Sequence, residues 1–172
     1  MPVMRMNHAV LYVRDAQRTA VFYEEVLGFR RIPMAEGFDK AVFLQAPGST
    51  NDHDLGLFTV GENVGPSLAG RQTVGLYHLA WEVDTLAELA RIAENLSARG
   101  ALVGASDHGT TKALYAHDPD GLELEVSWLV PADRIDDAAL EARSRIGSLD
   151  LPAEIERYGA DTRGGVGISV PA

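Results

Sequence analysis

The stretch LYHLAWEV, residues 76–83, decides the fold, because the elements that follow it repeat those that follow NHAVLYV, residues 7–13. Both stretches alternate as a half-buried strand does. In the later one His78, Ala80 and Glu82 share a face, with Leu79, Trp81 and Val83 on the other. In the earlier one His8, Val10 and Tyr12 share a face, opposite Asn7, Ala9, Leu11 and Val13. After each strand comes a residue suited to cap a helix, Asp15 or Thr85, and then a helical run, AQRTAVFYEEVL or LAELARIAENLSARG. Gly28 and Gly100 stand at the helix stops. Three short strand patterns follow each helix, at 29–33, 40–46 and 54–60 in the first copy and 101–106, 112–117 and 122–128 in the second. Turn residues separate them, among them Glu36-Gly37 and Pro47-Gly48-Ser49.

The chain therefore reads as two strand–helix–strand–strand–strand modules, about 4–62 and 74–130, repeating at roughly 70 residues. The expected class is α+β, with the two βαβββ modules pairing their sheets into an open mixed barrel. Beyond Pro131 the pattern changes. DRIDDAALEARSRIG is helix-like and charged, and GADTRGGVGISVPA is glycine-rich, so residues 131–172 form a C-terminal extension: a helix outside the core, then an irregular segment or a subunit contact.

Composition narrows the chemistry. A net charge of −10 disfavours nucleic acid and anionic membrane as partners, since phosphates would be repelled. Without cysteine there is no disulfide, no thiolate metal site and no thiol nucleophile, so any metal must be held by His, Asp or Glu. The start, MPVMRMNHAV, has neither a long apolar run nor a cleavage pattern, and a cytoplasmic protein is expected.

His8 and His78 occupy equivalent places in the two modules. On the last strand Leu122, Leu124, Val126 and Trp128 form the helix-packed face, so Glu123, Glu125 and Ser127 point into whatever the sheet encloses. His8, His78 and Glu125 would converge there as two imidazoles and one carboxylate, the facial set used by non-haem Fe(II) oxygenases, with positions left open for substrate and dioxygen. Taken singly, each of these residues reads more simply as a structural histidine or a solvated glutamate. Their equivalent placement favours the metal site.

The paired modules resemble the vicinal oxygen chelate superfamily over residues 4–130, and DPDGLELE resembles its closing turn and ligand glutamate, although Leu122 replaces an asparagine or histidine common there. Within it, DHGTTKALYAHDPDGLELEVSW (107–128) resembles the signature of type I extradiol dioxygenases: His108, five residues, Leu114-Tyr115, Asp118-Pro119-Asp120-Gly121 and Glu125. Ser106 departs from it, as a small polar residue in place of Gly, Asn, Thr or a small aliphatic. NDHDLGLF resembles the family's local sequence around a catalytic histidine and puts His53 in that role. The resemblance is to the single-domain, catechol 2,3-dioxygenase-like branch. It implies His8, His78 and Glu125 as ligands of Fe(II), with Mn(II) accepting the same set, and His53, His108 and Tyr115 as catalytic residues acting on an aromatic diol and O2. A homo-oligomer is the expectation for small proteins of this kind.

Three rival functions stand beside it. A glyoxalase-like isomerase would want a fourth ligand from DLGLFTV (54–60), where Gly56 and Phe58 cannot coordinate. A fosfomycin-type transferase would want a basic pocket, and Lys112 is the only lysine of the second module. A metal-free sequestering protein has no use for three converging ligands. His117 reads as a structural or exposed residue, Trp81 and Trp128 as core, and Phe43 and Leu57 as residues able to line a pocket.

Overall fold

The computed structural model describes residues 2–33, 37–70 and 72–169. The chain divides into two compact units: one runs to Ser67 and takes in Asp118–Gly121, and the other comprises Leu68–His117 and the chain from Leu122 onward.

The first unit contains β1 (Ala9–Val13), α1 (Ala16–Leu27), β2 (Arg30–Ile32), β3 (Ala41–Gln45) and β4 (Leu55–Thr59). Its sheet has the order β1-β4-β3-β2, with β1 parallel to β4 and the other pairs antiparallel. The Asp15 carboxylate caps α1 by accepting from the Gln17 and Arg18 N–H groups. Gly28, at φ 73°, ends the helix in the left-handed conformation that suits glycine. Thr19, Phe22, Tyr23 and Val26 recur at helical spacing and are buried with Leu11, Val13, Val42, Leu44, Leu55 and Leu57. Leu57 therefore belongs to the helix-packed core rather than to a pocket. Of the turn expected at Glu36-Gly37, Glu36 lies outside the described residues.

Asp120 completes this unit. It accepts from the backbone N–H of Arg14 at 3.1 Å and from that residue's guanidinium at 2.8 Å, with Arg18 at 3.5 Å. The adjoining Gly121, at φ 81°, supplies the left-handed bend of the turn.

The second unit repeats the plan with β5 (His78–Val83), α2 (Leu86–Ala98), β6 (Leu102–Asp107), β7 (Thr111–His117) and β8 (Glu123–Leu129). The order is β5-β8-β7-β6, again with the first and last strands parallel. Thr85 caps α2, whose Leu86, Leu89, Ile92 and Leu96 are buried. Trp128 is fully buried on the helix side of β8, as the alternation predicts.

The extension is more structured than its composition suggests. A 3-10 turn at Ala132–Arg134 leads to α3 (Asp137–Ala142), shorter than the helix expected over 133–147. The chain then adds a two-residue edge strand, β9 (Gly147–Ser148), to β6 and forms α4 (Leu151–Tyr158). Asp150 caps α4 and Pro152 sits in its first turn, a start signal hidden in a segment too short for periodicity to register. The α4 helix packs on α2, and its Tyr158 ring lies 5.5 Å from that of Trp128. No helix among the described residues is long and apolar enough to cross a membrane.

Candidate metal and substrate site

Parallel pairing of β5 with β8 sets His78 beside Glu123, Ala80 beside Glu125 and Glu82 beside Ser127, so all six share one face. Long-range pairing thus makes neighbours of residues the sequence holds far apart. The His78 Nε2 atom lies 3.2 Å from Glu125 Oε2, and its Nδ1 lies 3.6 Å from Glu123 Oε1. All three side chains are half-buried.

On β7, Tyr115 stands directly opposite Glu125. Its hydroxyl lies 3.1 Å from His108 Nε2 and donates to the Glu125 carboxylate. Burial, reinforced by the negative charge of Glu125, pushes the phenol up to about 12. Tyr115 is therefore a neutral donor at physiological pH. A tight turn positions His108: its N–H donates to the Thr111 carbonyl, and Thr110 N–H donates to its own, both at 2.9 Å. His78, Glu125, Tyr115 and His108 thus form one polar row in the second unit.

The first unit carries the other two expected residues. His8 stands one residue before β1 and is exposed, with its ring 4.6 Å from that of His53. His53 Nδ1 lies 2.9 Å from Asp52 Oδ2, and Phe43 meets the His53 ring edge-on at 5.0 Å. Phe43 thus shares the histidine-bearing face, as the sequence allows. On that face Val10 pairs with Gly56 and Tyr12 with Phe58, so β4 presents no side chain able to bind a metal.

The structure brings the six candidates together as two groups: His78, Glu125, Tyr115 and His108 in one unit, His8 and His53 in the other. Among the described residues no three His, Asp or Glu side chains gather as a ready metal cluster. His78 and Glu125 do fit a divalent ion, because donors on adjacent positions of an ion with bonds of about 2.1 Å stand about 3 Å apart. Their observed 3.2 Å matches that spacing.

The position of Glu123 against His78 escapes the sequence reading. Glu123 Oε1 faces the ring nitrogen of His78 away from Glu125 at 3.6 Å, just beyond hydrogen-bond reach, so the two buried atoms are near neighbours without a bond. Its place two residues before Glu125 on the same strand face is the signal that could have found it. His117, whose side chain is half-exposed, lies 3.9 Å from the far oxygen of Glu123. Lys112 points to the helix side, where it is fully buried with Asp107 at 2.5 Å and Glu154 at 3.0 Å. It is spoken for structurally and is not a phosphonate ligand.

With this geometry in view, the chain belongs to the Glyoxalase/Bleomycin resistance protein/Dioxygenase superfamily, whose family model matches residues 5–126. It is 32% identical over 124 residues to a catechol-2,3-dioxygenase of Bacillus subtilis (strain 168), a match covering 70% of this chain and only 40% of that protein. It is 30% identical over 125 residues to a lactoylglutathione lyase of Salmonella typhimurium, covering 72% of this chain and 91% of that one. The fold is similar to the crystal structure of a glyoxylase/bleomycin resistance protein/dioxygenase domain from Frankia sp. EAN1pec, with a TM-score of 0.61, 23% identity and coverage of 74% and 93%. The fold is thus established as that of a superfamily of metal-dependent glyoxalases and dioxygenases, and the relatives divide between the two reactions.

Proposed function

We propose that the chain is an extradiol ring-cleaving dioxygenase that opens catechol-type diols with O2. In this reading His8, His78 and Glu125 hold Fe(II), with Mn(II) as the alternative ion, and His53, His108 and Tyr115 serve the substrate. The observation that carries it is the Tyr115–His108 contact beside Glu125: a neutral phenol and an imidazole set next to a metal-ready carboxylate. The absence of a donor at Gly56 and Phe58 adds support, since an open three-ligand site suits a chelating substrate together with dioxygen. The similarity to the Bacillus subtilis dioxygenase points the same way.

A bound ferrous ion supplies the electron transfer that lets dioxygen react with an aromatic diol. The remaining work falls to side chains. Tyr115, protonated until far above neutral pH, would turn its one O–H from the Glu125 carboxylate, taken up by the metal in this reading, to a substrate oxygen and so fix the orientation of the ring. His108, bonded to the Tyr115 hydroxyl, holds that phenol in place. His53, backed by Asp52, holds or moves a proton on the oxygen side of the reaction, a task an imidazole performs well near pH 7. Glu123, 3.6 Å from the other ring nitrogen, would have to close on His78 to orient its ring toward Glu125.

The test is reconstitution with Fe(II) in the absence of air, addition of catechol, then oxygenated buffer. A yellow ring-opened semialdehyde should form, and His78→Ala should abolish it. A second reading has its own support, because the Salmonella typhimurium lyase is matched over most of its length. Isomerisation of a glutathione hemithioacetal by the metal-loaded chain, with no oxygen uptake on any catechol, would establish that reading and remove the first.

A further inference from the structure

The second unit holds a cavity of about 230 Å3 that shares His108 with the expected catalytic residues and otherwise lies outside them and the metal pair. Its wall includes His108, Thr110, Thr111 and Leu129 from the core and Arg143 and Ser169 from the extension. It therefore starts at His108, the end of the polar row that runs back through Tyr115 to Glu125. The family match stops at residue 126, so Arg143 and Ser169 lie outside the matched segment.

Three glycines seat the extension close enough to form that wall. A side-chain carbon on Gly109 would stand 2.2 Å from the Ala139 carbonyl oxygen and 2.8 Å from the Arg143 nitrogen, and φ there is +74°. One on Gly164 would stand 1.9 Å from the Leu129 carbonyl oxygen, and one on Gly165 2.3 Å from a Glu82 oxygen. Only glycine permits such backbone approach. Ser169 then ties the segment down, with its hydroxyl donating to the Leu129 carbonyl and accepting from Gly165 N–H. Arg143 is held at the end of α3 by its own N–H to the Ala139 carbonyl.

The chemistry of the lining is one-sided. In a chain of net charge −10, no carboxylate lines this cavity among the described residues. The nearby Asp107 is engaged by Lys112 and by Gly109 N–H. No carboxylate pairs with the Arg143 guanidinium among the described residues, whereas the adjacent Arg145 is paired with Glu141. A guanidinium without a carboxylate partner, on a residue that lines the cavity together with two threonines, suits the planar two-oxygen geometry of a carboxylate.

We propose that this cavity is a subsite for a carboxylate borne on a small aromatic molecule, with Arg143 as its recognising residue. Its role in choosing the substrate rests on the ring-cleavage reading: the preferred diol carries an acidic substituent that reaches past His108 to Arg143. The cavity itself is testable without diol or metal.

Dissociation constants for benzoate and for its neutral analogue benzamide are measured by ligand-observed NMR on the full chain. Benzoate should bind at least about tenfold more tightly, the range expected of a charge-assisted pair. Arg143→Gln should erase that preference and Arg145→Gln should keep it. Equal binding of the two probes, or a preference that survives Arg143→Gln, overturns the subsite. Catechol and 3,4-dihydroxybenzoate are then compared as substrates. A benzoate site dependent on Arg143 in a protein that cleaves neither diol would refute ring cleavage while leaving the subsite standing.

Discussion

Replacing Lys112 by methionine should destabilise the chain far more than a lone lysine on a strand would suggest. The ammonium is fully buried between two carboxylates, Asp107 at 2.5 Å and Glu154 at 3.0 Å, under the ring of Tyr158. Methionine keeps most of the stem volume, so the packing cost stays below about 1.5 kcal/mol. What changes is the electrostatics. Asp107 is a quarter exposed and retains the Gly109 N–H, but Glu154, at 13% exposure, loses the cation it faces. Breaking a buried ion pair costs about 3–5 kcal/mol, and the relief available to Asp107 places the expected loss near about 3 kcal/mol. Urea unfolding followed by tryptophan fluorescence measures it, Trp128 being packed against Tyr158. The double variant Lys112→Met/Glu154→Leu should recover most of the loss, because a matched apolar pair replaces a matched ionic one. A single-variant loss under about 1 kcal/mol, the size of an exposed pair, would refute the reasoning. So would a double variant no better than the single.

Glu125→Ala should lose stoichiometric iron after anaerobic reconstitution, measured by metal analysis of the desalted protein, because one half of the 3.2 Å donor pair is gone. His53→Phe should retain iron and lose most turnover; equal turnover would remove His53 from the mechanism. Tyr115→Phe should lower the catechol cleavage rate by about 10- to 100-fold, the worth of a hydrogen bond to a charged group. Because the Tyr115 proton is held to about 12, the shape of the rate profile between pH 6 and 10 should not change, and an alkaline limb that vanishes in this variant would contradict the assignment. Asp136 is held below the ordinary carboxylate range by the Ala139 N–H and then by Arg157. Its folded pKa thus lies under its unfolded one, and its stabilisation is present above about pH 4 and fades as pH falls through the folded value. Asp136→Ala should therefore lower the melting temperature at pH 7, with the gap to wild type closing in acid.

Much of the fold is legible in the sequence because both modules use strong local signals. Asp15, Gly28 and Thr85 do in the structure what their residue types predict, and alternation along 122–128 assigns Glu123 and Glu125 to one face and Trp128 to the other. Strand ends are less well marked, and β1 begins only at Ala9. The extension is misjudged for a physical reason. Its helices are six and eight residues long, held by the Asp136 and Asp150 caps and, for α4, by packing on α2, rather than marked by periodicity. Within the site, His78, Glu125, Tyr115 and His108 lie together in the second unit, while His8 and His53 lie in the first. Arg143 has no signal at all, since a charged residue in a charged run gains meaning only when Gly109 brings the far backbone against α3.

The parallel pairing of β5 with β8 also sets an order of events. His78 and Glu125 lie on strands separated by a helix and two other strands, and their 3.2 Å contact exists only once β8 has slid in beside β5. Non-local pairing of this kind forms late in folding, after the hairpins that are cheap in chain entropy. A nascent chain therefore exposes its imidazoles and carboxylates as scattered single donors with little hold on passing ions. In the proposed metal-binding reading, a grip of two donors would be a property of the finished unit alone, and a chain arrested before its last strand would have none.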